Sequence, residues 1–241
     1  MAAGDKPIVV RNFVEFLGAI RDLGPARRLF RGVSDARFEL VPSIGRARDA
    51  NARPFTRSDE KKLLERFKDQ VRRFVGAEPR NDLEWLVLGQ HHGLPTRLLD
   101  WTLSPIVAAF FAVGDTRIDA FNGKTGGRVR EIPGKVYTAP LPQEVSPRDR
   151  IDPFRVKAPK LVLPSHISPR IPQQSSVLTL HPAPSRSWQP RKLRVIEIPP
   201  ERKLEFQREL DVLGINDATL FPGIDAVAKY LAWQFRFDTV L

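Results

Sequence analysis

Ser104 and Pro105 stand directly before IVAAFFAV (residues 106–113), a run that is apolar on nearly every side. Serine at a helix cap with proline at the first helical position is a strong start signal. A helix apolar all round has to be buried. The segment leading into it, QHHGLPTRLLDWT (residues 90–102), is dense in polar groups yet framed by apolar ones. That composition is expected where a chain is pinned in one conformation beside a pocket.

The rest of the chain supplies elements of both kinds. Asn12 and Glu15 are spaced as a capping pair for a helix to Leu23 that presents Phe13, Phe16, Leu17 and Ile20 on one face and is stopped by Gly24-Pro25. Arg28 to Val33 reads as a short strand. Ser58 is placed to cap a second helix with Leu63, Leu64, Phe67, Val71 and Phe74 as its buried stripe. Asn81 with Glu84 opens a third helix through Leu88, after which residues 90–102 turn at Gly93 and Pro95 and run extended. Residues 115–200 are loops rich in Gly, Pro and Arg with strands expected at 135–139, 176–180 and 192–198. Helices from Glu201 to Leu213 and from Asp225 to about Arg236 complete an α+β chain, with residues 216–223 read as a tight turn that docks the last helix. A length of 241 residues suits a single domain with a core at about 10–235.

Composition narrows the chemistry. With no cysteine there is no disulfide, thiolate metal site or thiol nucleophile. The four histidines, His91, His92, His166 and His181, lack metal-ligand spacing, so no metal is expected. No GxSxG, Walker or GxGxxG motif occurs. The start has no secretory signal, no stretch approaches a membrane span, and the expected location is cytoplasmic, with no membrane partner. A net charge of +11 favours an anionic partner, nucleic acid or acidic protein.

Candidate site residues follow from residue type and place. Phe30-Arg31-Gly32 puts a guanidinium fork beside a glycine that admits close backbone approach, a combination suited to phosphate. Asp100 can pair with Arg97 or Arg31, and of the adjacent histidines His92 is expected to point inward as a proton carrier. Arg170 to Ser176 places an arginine and two amides at a strand entry. A basic cluster at Arg46, Arg48, Arg53 and Arg57, with Arg72 and Arg73 further on, could contact phosphates.

Taken in order, Phe30-Arg31-Gly32, QHHGLPTRLLDWT with SPIVAAFFA, PRIPQQS (169–175), and LGIN through TLFPGID (213–225) resemble the FRG-domain family, over about residues 10–235. More distantly, the order of arginine-bearing strand, strand entering Thr102, buried helix and glutamine-bearing strand resembles the split sheet of ADP-ribosyltransferases. The resemblance implies a mixed or split sheet flanked by helices and NAD as substrate. It implies Arg31 and Gly32 on the pyrophosphate, His92 and Thr102 near the ribose or nicotinamide, and Gln174 in the third strand motif. The glutamate such enzymes use has no matching motif, which leaves Glu197 as the stand-in and Asp100 as the alternative. The function expected is an ADP-ribosyltransferase or NAD glycohydrolase, as a bacterial or phage toxin or defence effector with a possible cognate inhibitor. A noncatalytic nucleic-acid-binding module, or a metal-free nuclease with His92 as base and Arg31 on the phosphorane, stand as alternatives.

Overall fold

The computed structural model describes residues 6–46, 53–114, 132–164 and 174–237. It is α+β, built on one mixed sheet of seven strands in the order β1-β7-β4-β2-β3-β6-β5. The strands are β1 (Ile8–Val9), β2 (Arg28–Val33), β3 (Leu98–Thr102), β4 (Gly134–Pro140), β5 (Lys160–Val162), β6 (Ser176–Leu180) and β7 (Arg194–Ile198). Among the described strand pairs only β1–β7 is parallel. The described helices are α1 (Phe13–Arg21), α2 (Arg57–Val71), α3 (Asp82–His91), α4 (Pro105–Val113), α5 (Pro147–Ile151), α6 (Lys203–Val212), α7 (Asp217–Leu220) and α8 (Ile224–Phe237).

Local signals set most of these boundaries. Asn12 accepts from the Glu15 amide at 2.8 Å, Asn81 from the Glu84 amide at 3.0 Å, and Ser104 from the Val107 amide at 3.3 Å. Helix α2 starts earlier than its Ser58 signal, because Thr56 and Asp59 form a reciprocal capping box that satisfies two end amides at once. Its stripe also differs: Glu60, Leu64 and Lys68 are buried, whereas Phe74 falls on a following 3-10 turn and is 73% exposed. The 216–223 turn contains the single helical turn α7. Arg48, His166 and Arg170 to Gln173 lie outside the described residues.

Period-two alternation along the strands divides the core. Phe30, Val136, Ile196 and Ile198 join Phe13, Phe16 and Phe206 from α1 and α6 around Ala108, Ala109 and Ala112 of α4. Leu98, Leu178 and Leu180 join α3 through Leu83, Trp85 and Leu86. The neighbouring residues Leu29, Leu99, Trp101 and Val177 make a third cluster with Leu40.

Helix α4 lies against the sheet more closely than side chains would allow. A Cβ on Gly32 of β2 would collide with the Ala108 backbone oxygen, and one on Gly134 of β4 with that of Ala112. The glycine beside Arg31 is thus the point where the buried helix meets the strand.

Candidate functional site

The sheet has a seam between β2 and β3. Strand β2 is in register with β4 from Arg28 to Val33, and β3 with β6 from Leu98 to Thr102, but β2 and β3 pair only at Phe30 and Thr102. Past that pair the strands part, and the Arg31 side chain crosses the gap. Its Nη1 donates to the Asp100 carbonyl oxygen at 2.6 Å and stands 3.8 Å from Asp100 Oδ2.

Arg31 is only 16% exposed as a side chain, while the Asp100 carboxylate is 62% exposed. Burial pushes the Arg31 guanidinium below its ordinary value; Asp100 opposes that shift, Arg46 adds to it and Tyr137 opposes it. The Arg31 Nε is buried and has no hydrogen-bond partner among the described residues. A buried donor left unsatisfied costs about 1–3 kcal/mol, which is a reason to look for a ligand there. Tyr137, in register with Arg31, is pushed up by burial and then by Glu39, with Arg31 opposing. Its hydroxyl donates to the Phe38 carbonyl at 2.8 Å.

Asp100 is held from the other side by a residue that carried no separate role in the sequence. Gln90, near the end of α3, donates from Nε2 to Asp100 Oδ1 at 3.0 Å and accepts from the Thr96 hydroxyl. Thr96 in turn donates its amide to Ser43 Oγ at 3.0 Å. The amide orientation of Gln90 is thereby fixed, with its NH2 toward the carboxylate. The signal available in the sequence was only that Gln90 opens the polar block.

The other expected site residues lie elsewhere. Arg97 does not reach Asp100: buried, it donates from Nε and Nη2 to the Glu60 carboxylate, both at 2.8 Å, and from Nη1 to the His181 carbonyl at 3.2 Å. His92 is exposed rather than inward, because it is the C-cap of α3, where the chain leaves the helix just before Gly93 takes a φ of 85°. It lines a groove of about 910 Å³ with Phe67, Val71, Phe74, Arg80 and Leu88. No hydrogen bond or ion pair joins it to Arg31 among the described residues.

Glu197 shares a sheet face with Arg31, but on β7, two strands away and one register row along. Strand spacing puts the two Cα atoms about 10–12 Å apart. Its carboxylate stands 3.8 Å from Lys135 Nζ.

Thr102 and Gln174 are brought together, on the α4 side. The Thr102 hydroxyl donates to the Gln174 carbonyl at 2.7 Å and accepts from the Ser104 amide at 3.0 Å. The Gln174 side chain donates to the Leu220 carbonyl at 3.0 Å. Here these residues tie the end of β3 to the entry of β6 and to α7. The described residues hold no cluster of metal-ligating side chains, and no described helix is long and apolar enough to cross a membrane.

Compared with known families, residues 26–120 match the FRG domain. The match runs from just before β2 past α4 and so includes Arg31, Gly32, Gln90, Asp100 and Thr102. The similar-looking blocks around Gln174 and at 213–225 fall outside it. Neither the curated proteins nor the solved structures return a match.

Proposed function

This chain is an FRG-domain protein, and from that premise we propose that it cleaves the nicotinamide–ribose bond of NAD, as an NAD glycohydrolase or ADP-ribosyltransferase. The observation that carries the reading is the Arg31–Asp100 pair: a nearly buried guanidinium with an unpartnered Nε beside an exposed carboxylate at a parting of the sheet. The parting between β2 and β3 also accords with the split sheet that the ADP-ribosyltransferase resemblance implies.

Arg31 supplies a fixed positive fork for the pyrophosphate. Asp100, steadied by Gln90, supplies negative charge where the ribose becomes oxocarbenium-like. The C1′–N bond breaks, nicotinamide leaves with the electron pair, and water or an acceptor nucleophile adds to C1′. The proton released goes to Asp100 or to solvent.

Asp100 fits this role better than Glu197, which stands two strands from Arg31 beside Lys135. His92, Thr102 and Gln174 take no step in it. The nuclease reading needs His92 and Arg31 at one centre, and the groove that His92 lines does not include Arg31. A charge of +11 suits an effector whose acceptor is anionic, as a toxin or defence protein acting on nucleic acid would be.

Titration calorimetry with NAD tests the binding half. Wild type should bind NAD and Arg31→Ala should lose at least about 10-fold in affinity, the scale of a charge-assisted contact of roughly 1.5–3 kcal/mol. Equal binding by the two proteins would remove Arg31 from the site.

A further inference from the structure

Away from the seam, a hollow of about 360 Å³ opens between the start of α2, the turn Ser43–Gly45 and residues 182–185. Four arginines line it, Arg46, Arg53, Arg57 and Arg97, with Glu60 the one carboxylate among the described residues. Pro54, Phe55, Pro182 and Pro184 supply flat apolar wall.

The described carboxylates here, Glu60 and Asp59, are already engaged. Glu60 is held by both sides of the buried Arg97 fork at 2.8 Å. Asp59 caps α2 and takes two bonds from Arg53, at 2.7 and 2.9 Å. These bonds and those from Thr56 hold the Asp59 carboxyl far below the usual carboxylate range, the Arg53 bond contributing most. Arg57, the first residue of the 15-residue helix α2, is exposed and has no ion-pair or hydrogen-bond partner among the described residues. It sits at the positive end of the helix dipole. Phe55, two residues before it, is 49% exposed.

An unpaired arginine and an open aromatic ring on one hollow are the two parts a nucleotide needs: a cation for the phosphate and a face for the base. The volume is at the small end of ligand sites, about 300–1,000 Å³, and a lone carboxylate of an acidic protein would leave it mostly unfilled. We infer that this hollow binds a nucleotide unit of single-stranded nucleic acid, with phosphate on Arg57 and base on Phe55. The inference does not depend on NAD chemistry at Arg31.

The test is fluorescence anisotropy with a labelled 12-nucleotide single-stranded DNA, titrated with full-length protein at 50 and 200 mM salt. If the arginines neutralise three phosphates, affinity for a single strand falls about 20-fold over that range. Arg57→Ala should weaken binding at least 10-fold and lower the logarithmic salt slope by about 0.7, the single-strand value for one phosphate. Phe55→Ala should weaken binding by about 10-fold with the slope unchanged, as loss of a stacked base does. Thermal melts establish that both variants fold; both side chains are exposed, so their melting should match wild type.

Unlabelled AMP identifies the source. AMP that displaces the strand only at far higher concentration supports a strand site. AMP that binds as tightly as the 12-mer keeps the nucleotide chemistry but overturns the strand as its source. Absence of DNA binding, unchanged affinity in both variants, or preference for a polyglutamate peptide over DNA would overturn the proposal.

Discussion

Arg31 reaches across the β2–β3 seam to the backbone of Asp100 rather than to its carboxylate: Nη1 is 2.6 Å from the carbonyl oxygen and 3.8 Å from Oδ2. The bond that closes the seam therefore survives neutralisation of the side chain. Asp100→Asn should keep the wild-type fold, with a melting temperature within a few degrees, because the short bond from Arg31 goes to the carbonyl oxygen and the carboxylate that changes is 62% exposed. A melt that collapses in Asp100→Asn would mean that the carboxylate holds the sheet together.

Gly32 makes a different prediction for its neighbour in sequence. Since a Cβ there would overlap the Ala108 backbone oxygen, Gly32→Ala has to push α4 off the sheet. We expect destabilisation of at least about 3 kcal/mol, the upper range for overpacking, measured by urea denaturation. Unchanged stability would show that α4 can retreat freely.

The buried Arg97–Glu60 pair predicts a stability effect remote from the seam. Removing one partner leaves an uncompensated charge in the core, so Glu60→Ala should cost about 3–5 kcal/mol in the same denaturation experiment. Replacing both partners with apolar residues should cost less than the single change. Equal loss in the single and double variants would contradict that account.

Beside this pair, the Thr179 hydroxyl accepts from Trp101 Nε1 at 2.9 Å and lies 2.8 Å from His181 Nε2, where its own proton can be given. Burial, and then Arg97, push His181 down from 6.5 to about 4. The unfolded chain thus binds a proton at higher pH than the folded one. The neutral histidine's contribution is fully present above pH 6.5 and is lost as pH falls from about 6.5 toward 4, by up to ~3 kcal/mol. His181→Gln should flatten the stability–pH curve across that window. A curve with the wild-type slope would assign the acid sensitivity to other groups.

How far the sequence foretold this molecule depended on whether the cause was local. Arg28–Val33 and Ser176–Leu180 form strands at the expected residues, and the Asn12, Asn81 and Ser104 caps act as their spacing implies. The α5 capping box at Ser146 and Asp149 was equally local and went unread in a loop-rich stretch. Tertiary partners were harder. Arg97 stood as near to Asp100 in sequence as any arginine, yet Glu60, 37 residues away, takes it. The choice between His91 and His92 turned on where α3 ends, and both histidines are exposed there. Of the expected site residues, the structure joins Arg31 with Asp100 and Thr102 with Gln174, while Glu197 and His92 stand apart.

The central claim is that Arg31 and Asp100 act together on NAD, and nicotinamide release measured by chromatography tests it most directly. NAD is incubated with wild type, Arg31→Ala or Asp100→Asn, with RNA, DNA or protein acceptors present. The account predicts release by wild type, loss in Arg31→Ala, and a fall of at least about 100-fold in Asp100→Asn, the scale of losing one transition-state electrostatic group. Intact NAD in the wild-type reaction under every acceptor condition, or full activity in folded Asp100→Asn, would contradict it.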